Sequence, residues 1–133
     1  MPAHAIDITW KQGNDTVQNT VVVAGLQELN LGDTESPWTV PHEATADRKT
    51  VSIDVSQLKS LFLTSTRDVT VKTNSTGSPD NTIELKAGKP AIWWENCGWD
   101  CQLTVDVTDF YVANASGQSA TIQLRTILEP ATA

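Results

Sequence analysis

The regular alternation of apolar and polar residues between positions 81 and 129 constrains the fold of this chain more than any other feature. Ile83 and Leu85, for example, flank Glu84, and Ala-Gly-Lys-Pro at 87–90 is a typical turn sequence. Successive side chains of a strand point to opposite faces, so the alternation indicates strands with one buried and one solvated face. The pattern predicts four strands, at residues 82–86, 91–95, 109–114 and 119–129.

Similar alternation, and a β-branched run at 17–24, predict strands before position 81 too. They lie at residues 5–11, 17–24, 26–31, 49–55, 61–65 and 68–73. No segment has the 3.6-residue period of a long helix, and turn residues separate the strands at intervals of roughly 8–12 residues. Many short strands of this kind predict an all-β protein, namely a single-domain antiparallel β-sandwich over residues 1–133. Among sandwiches we favour the jelly roll and place the immunoglobulin-like arrangement second.

The alternation stops between residues 32 and 48, GDTESPWTVPHEATADR. This segment contains two prolines, four acidic residues and one tryptophan, Trp38, and it follows neither a helical nor a strand period. Loops longer than about 12–15 residues in a compact domain are usually binding segments or disordered. The sequence therefore predicts a long acidic loop at about 32–48, with Trp38 exposed in it.

The charge of the chain argues against some partners. It has nine Lys and Arg against sixteen Asp and Glu, a formal net charge of -7. Proteins that bind nucleic acid or anionic membranes obtain much of their affinity from Lys and Arg, so we expect no nucleic acid and no membrane as partners. No apolar run approaches the ~20 residues of a spanning helix, and the N-terminal residues show no signal-peptide pattern. We expect synthesis and folding in a cytoplasm.

Few residues in the sequence are candidates for chemistry. Cys97 and Cys101 are separated by three residues, but a zinc site needs four ligands, and His4 and His42 lie in unrelated segments. We expect free thiols in a reducing compartment; a local disulfide is the alternative in an oxidising one. The sequence contains no calcium-binding loop, phosphate-binding glycine loop or nucleophile motif. It therefore predicts no metal, no cofactor and no enzymatic activity.

The five tryptophans leave two interpretations open. Trp93 and Trp94 are adjacent, so in a strand their side chains point to opposite faces and one belongs to the core. Trp38 and Trp99 lie in predicted loops and are free to contact a ligand. Exposed aromatic rings on a β-sandwich stack on sugars in glycan-binding modules. We favour burial or a subunit interface, because tryptophan is enriched at such positions.

Three strand-and-turn motifs resemble those of a known family. They are SxxDVTVxTN at 65–74, SPDNTIxLKAGKP at 78–90 and DVTxxYVxNASG at 106–117. With their neighbouring residues they resemble small virion structural proteins of tailed bacteriophages, most closely the capsid decoration (cement) proteins. The first sixty residues and the loop around Cys97 and Cys101 lie outside the resemblance.

The resemblance implies a non-enzymatic β-sandwich protein that is made in the host bacterial cytoplasm and lies on the capsid surface of the virion. Such a protein binds the major capsid protein on the outside of the phage head, commonly as a homo-oligomer with a trimer favoured, and stabilises the shell. The alternative is a glycan-binding sandwich on a phage tail or virion surface. Apolar residues outside the regular sandwich pattern are the candidate interface residues: Ile6, Ile8, Trp10, Trp38 and Trp99.

Overall fold

The computed structural model describes residues 2–130, which form eleven strands and one short 3-10 turn. The strands are β1 (Ala3–Gln12), β2 (Asp15–Ala24), β3 (Gln27–Leu31), β4 (Trp38–Val40), β5 (Asp47–Ile53), β6 (Leu58–Ser65), β7 (Val69–Thr73), β8 (Thr82–Leu85), β9 (Ala91–Trp94), β10 (Val107–Ala113) and β11 (Ala120–Leu128). The 3-10 turn, Val55–Gln57, is capped by the carboxylate of Asp54, which accepts a hydrogen bond from the backbone N–H of Ser56. Within these residues no helix is long and apolar enough to cross a membrane.

Two antiparallel sheets pack face to face to form a β-sandwich, which confirms the predicted fold class. The first, here called the arm-side sheet, has the order β3-β11-β6-β9, and the short strand β4 also pairs with β11. The second, here called the distal sheet, has the order β5-β10-β7-β8. The alternation along each strand places one set of side chains between the sheets and the other set outside, as expected for this architecture.

The strand pairings are nested along the chain. The innermost pair is β7 with β8, and outward from it β6 pairs with β9, β5 with β10 and β3 with β11. Successive pairs belong alternately to the distal sheet and to the arm-side sheet. This part of the chain is therefore one long antiparallel ribbon, folded so that its successive segments lie in the two sheets in turn.

The main hydrophobic core lies between the two sheets. Leu63, Ile122 and Leu124 enter it from the arm-side sheet, and Val71 and Phe110 enter it from the distal sheet. Full burial of a side chain of this size contributes about 1.5–3 kcal/mol relative to exposure. No residue of β1 or β2 belongs to this core as far as residues 2–130 define it, so the sandwich is complete without the first two strands.

The prediction of one long loop at 32–48 with an exposed Trp38 is wrong. Trp38 begins strand β4, is 3% exposed and packs on Phe110, with ring centroids 5.7 Å apart. Strands β3 and β4 pair with adjacent stretches of β11, so residues 32–37 bulge out between them and a shorter loop spans 41–46. A three-residue strand between two prolines is too short for alternation to reveal.

Gly32 allows β3 and β4 to follow the same neighbour. Its φ is +79°, a left-handed backbone conformation that glycine adopts readily. A Cβ at this position would collide with the carbonyl oxygen of Ile122 in β11. The backbone therefore passes close to β11 at a point where no side chain fits, and it rejoins the sheet at Trp38.

Candidate assembly interface

Strands β1 and β2 form a two-stranded hairpin, here called the arm (residues 3–24), that belongs to neither sheet of the sandwich. They pair along their whole length, from Ala3 opposite Ala24 to Gln12 opposite Asp15. Strands of ten residues, at about 3.4 Å each, give an arm roughly 34 Å long. Burial is confined to the residues nearest the sandwich, so the outer half of the arm projects into solvent.

The two faces of the arm differ in chemistry. Residues directly opposite each other in an antiparallel pair share a face, so the register divides the side chains into two sets. The inward face, which meets the sandwich at the base of the arm, carries most of the apolar ones: Ile6, Ile8, Trp10, Val17, Val21 and Val23. The opposite face is mainly polar, and on it Thr20 donates a 2.6 Å hydrogen bond to Asp7.

The base of the arm lies on the outer face of the arm-side sheet. Nδ1 of His4 is 2.7 Å from Oγ of Ser60, whose residue is only 2% exposed. Val23 of the arm is buried, and so are Trp94 and Ile127 of this outer face, although none of the three belongs to the core between the sheets. The arm base and the outer face of the sheet therefore form a second, smaller apolar cluster.

Beyond its base, the inward face of the arm continues as an exposed apolar strip. Ile8, Trp10 and Val17 form this strip, with exposed fractions of 40%, 71% and 60%. Trp10 lies directly opposite Val17 on the neighbouring strand. Both long edges of the hairpin also carry unpaired backbone groups, and an isolated two-stranded hairpin is only marginally stable in water. The outer arm is therefore a surface that gains stability from a partner.

A groove of about 590 Å³ lies between the base of the arm and the arm-side sheet. Ile6, Phe62 and Ile92 line its apolar part, and Glu28 and Arg125 belong to its polar part. Nη1 of Arg125 donates hydrogen bonds of 3.0 and 2.8 Å to two backbone carbonyl oxygens, which hold the guanidinium in place. The groove thus combines an apolar wall and floor with one fixed positive charge.

The charges around this groove act on His4. Partial burial lowers the pKa of the imidazole below its ordinary value of 6.5, and Arg125 on β11 lowers it further. Glu28 on β3 acts in the opposite direction and raises the pKa, but burial is the larger effect. The neutral form of His4 is therefore the form favoured when the arm base is seated beside Ser60.

Trp93 and Trp94 point to opposite faces of β9, as predicted. Trp94 lies opposite Ser60 on the outer face of the arm-side sheet, and Trp93 lies opposite Leu61, which is part of the core. Trp94 thereby belongs to the small cluster outside the sandwich, while Trp93 packs against the main core.

Trp99, in the loop after β9, is 48% exposed but held in one orientation. Its Nε1 donates a 2.9 Å hydrogen bond to the carbonyl oxygen of Ile92, and its own carbonyl oxygen accepts a 3.1 Å bond from Nε1 of Trp93. Its ring meets Trp94 edge to face, with centroids 4.9 Å apart and planes at 79°. A fixed, half-exposed indole is well suited to a protein contact.

The aromatic arrangement does not provide the platform that the glycan-binding alternative requires. That alternative needs Trp38 or Trp99 coplanar with a second exposed ring. Trp38 is buried, and Trp99 stands nearly perpendicular to a buried neighbour. Neither ring pair found within residues 2–130 is a coplanar pair of exposed rings.

Cys97 and Cys101 are free thiols. Sγ of Cys97 is 3.4 Å from the carbonyl oxygen of Trp99, and burial raises the pKa of the Cys101 thiol. A raised pKa reduces the thiolate fraction and hence the reactivity of the sulfur. Across the described part of the chain, no group of three or more His, Cys, Asp or Glu residues lies close enough together to hold a metal ion.

Three of the five candidate interface residues meet on the arm. Ile6 is half-buried in the groove, and Ile8 and Trp10 follow it on the same face in the exposed strip. Trp99 lies outside the arm, in the loop after β9, where its ring packs on Trp94 of the small apolar cluster. The prediction of Trp38 as an interface residue is wrong: its ring is in the core beside Phe110, where it cannot contact a partner.

Four residues that share this region were not predicted from the sequence. Val17 completes the apolar strip, and its place opposite Trp10 follows from the hairpin register. Phe62, Ile92 and Arg125 line the groove, but they come from three strands that meet only in the folded sheet. The turn Gly-Asn between two alternating segments was the one sequence signal that could have located Val17.

Comparison with known proteins identifies no relative. No protein-family model, no curated protein sequence and no solved structure matches the chain.

Proposed function

We propose that this protein is a non-enzymatic virion structural protein, a capsid decoration protein that binds the major capsid protein on the outside of a phage head. The observation that carries the proposal is the arm, which presents an apolar strip outside a sandwich that is complete without it. The resemblance of the motifs at 65–74, 78–90 and 106–117 to phage decoration proteins supplies the class of partner.

Exposure of an arm of this kind to solvent is energetically unfavourable in an isolated subunit. Apolar patches rimmed by polar residues on soluble proteins usually mark interaction surfaces, and unpaired strand edges are templates for pairing with another chain. Ile8, Trp10 and Val17 form such a patch on a hairpin with two unpaired edges. Covering them in an assembly removes both costs, so the arm is explained by a structural role in a multi-subunit particle.

The nested ribbon supports a jelly roll as the topology of the sandwich, and we propose that assignment. A jelly roll is a double-sheet arrangement of eight strands. An antiparallel ribbon whose pairs alternate between two four-stranded sheets gives such an arrangement. Strands β3 and β5 to β11 pair in this way, with β4 as a short addition beside β11.

The mechanism of a decoration protein is mass action. A protein that binds only the assembled shell stabilises it by RT ln(1 + [L]/Kd) for each site. A homo-oligomer, for which we favour a trimer around a local threefold axis, contacts several capsid subunits at once, so that individually weak contacts combine into tight binding. Trp99, fixed and half-exposed, is our proposed anchor on the shell, and the arm is our proposed link between subunits.

Co-sedimentation with expanded capsids of the phage that encodes the protein tests this function. We expect saturable binding and a higher temperature of capsid disruption. Trp99→Ala is expected to weaken binding about tenfold or more, as loss of a central tryptophan does at other interfaces. Val105→Ala is the matched control, since Val105 is also apolar and is 43% exposed; we expect it to bind as the wild type does.

Two results would count against these assignments. Folded wild-type protein that does not sediment with capsids at any concentration contradicts the decoration function. Equal weakening by Trp99→Ala and Val105→Ala contradicts the role of Trp99 as the anchor, since it indicates a general effect of the loop.

A further inference from the structure

We propose that the outer arm of one copy of this chain binds a second copy, in the groove between that copy's arm base and its arm-side sheet. The inference rests on the proposed function only in treating the arm as the contact element. It adds the acceptor surface on the second copy, which contains Phe62 and Ile92.

The proposed contact between copies continues a contact that already exists within one copy. The base of the inward face, with Ile6 and Val23, packs on the outer face of the arm-side sheet. The exposed strip with Trp10 continues that inward face, and the open groove with Phe62 and Ile92 continues that outer face. The inward face of the arm and the outer face of the sheet contact each other at the base of the arm. Beyond that contact, each of them continues as an exposed apolar surface.

The outer arm cannot fill the groove of its own copy. Ile6 lines the groove, and Trp10 follows it four residues later on a paired strand. Four residues of strand span about 13 Å, and the hairpin is hydrogen-bonded throughout this length, so it does not fold back. The apolar strip is therefore available to a neighbour, and the groove is available to a neighbour's strip.

The chemistry of the groove suits an indole in particular. Phe62 and Ile92 supply apolar contacts, and Arg125 supplies a fixed guanidinium beside them. A guanidinium near an aromatic face is attracted to the ring, most strongly to that of tryptophan. Trp10, the most exposed of the large apolar residues within 2–130, is the side chain on the arm that matches this site.

The buried area favours a closed ring of copies over a single pair. The outer arm measures about 20 by 10 Å, and cover of one face and one edge buries roughly 300–400 Å². One contact thus buries about half of the ~800 Å² per partner of a standard interface, whereas in a closed ring each copy both donates an arm and accepts one and buries roughly 600–800 Å². Because arm and groove are different surfaces, the contact is head-to-tail, and it closes into a ring if the rotation between copies permits.

Sedimentation velocity over a range of concentrations tests the proposal with three variants. Trp10→Ser removes the indole that the arm inserts, and Phe62→Glu places a charge in the groove that receives it. Val22→Ser is a control on the opposite face of the arm, where Val22 is 65% exposed. We expect wild type and Val22→Ser to self-associate, and Trp10→Ser and Phe62→Glu to associate about tenfold or more weakly. Circular dichroism and thermal unfolding confirm that each variant is folded.

Mixing the two defective variants is the sharper measurement. Trp10→Ser keeps an intact groove and Phe62→Glu keeps an intact arm, so the mixture is expected to form a heterodimer that neither variant forms alone. A Phe62→Glu variant that self-associates like the wild type overturns the proposal, as does a wild-type protein that stays monomeric. A monomeric wild-type protein that binds capsids would contradict this inference but not the decoration function. A protein that forms rings but does not bind capsids would contradict the decoration function but not this inference.

Discussion

His4 and Ser60 are 56 positions apart in the sequence, yet Nδ1 of one lies 2.7 Å from Oγ of the other. Within residues 2–130 this is the side-chain hydrogen bond that joins the arm to the sandwich. The arm is otherwise held by the small apolar cluster with Val23 and Ile127. The arm base is therefore attached by few contacts, one of which depends on the protonation of an imidazole.

Acidification is expected to loosen the base of the arm. Burial lowers the pKa of His4 when it is seated, while the released imidazole returns to about its ordinary 6.5. The stability that the seated form gains is fully present above about pH 6.5, and it declines as the pH falls below 6.5 towards the lower pKa of the seated form. Among charged groups, Glu28 on β3 raises the pKa of His4 and Arg125 on β11 lowers it, while burial is the largest effect.

The amide resonances of Val23 and Gly25, followed by NMR from about pH 8 to about pH 5, measure this loosening. We expect a transition centred below 6.5 in the wild type. His4→Gln retains hydrogen-bonding capacity without a titrating ring, so the transition is expected to disappear. Identical titration curves in the two proteins would show that His4 is not the responsible group.

Substitution of Trp38 is expected to affect stability far more than substitution of Trp99. Trp38→Ala leaves a cavity beside Phe110 and is expected to reduce the free energy of unfolding by about 3–5 kcal/mol. Trp99→Ala removes a half-exposed ring and one hydrogen bond, with an expected loss of about 1 kcal/mol. Urea denaturation of both variants measures the difference. A loss below about 1 kcal/mol for Trp38→Ala would be incompatible with its burial in the core.

Gly32 and Gly117 form a matched pair for testing close approach of the backbone. Both have positive φ, but only at Gly32 would a Cβ collide with another strand, since at Gly117 nothing lies within 4 Å. Gly32→Ala is expected to cost about 2–5 kcal/mol, the sum of strain and overpacking, and Gly117→Ala about 1–2 kcal/mol. The midpoints of urea unfolding measure both. Equal losses would mean that contact with Ile122 contributes nothing.

The sandwich was predictable because its strands are half-buried. Alternation between apolar and polar residues identified β7 at 68–73 and β11 at 119–129 to within one residue of their observed bounds, Val69–Thr73 and Ala120–Leu128. The same pattern predicted a strand at 5–11 but could not show that β1 lies outside the sandwich. Ile6, Ile8 and Trp10 alternate like a core strand, and alternation indicates that one face is apolar without indicating what covers it.

Contacts between distant residues account for what the sequence did not reveal. Trp38 is buried because β4 pairs with a segment more than 80 residues later, Ile122 opposite Trp38. Asn114 forms part of a turn motif in the sequence, but in the fold its buried amide donates hydrogen bonds to the carbonyl oxygens of Val40, Pro41 and Gln118. Neither role follows from local composition, because each depends on chain segments brought together only by the sheets.

We expect the surface that holds the base of the arm to form late in folding. Strand β3 pairs with β11 across about 100 positions, and pairing over such separations is slow. The surface that seats the arm includes Ile127 of β11, so an arm synthesised early has no seat until β11 is in place. The acceptor groove includes Arg125 of β11, so we expect it to be completed by the same late step, after the arm hairpin.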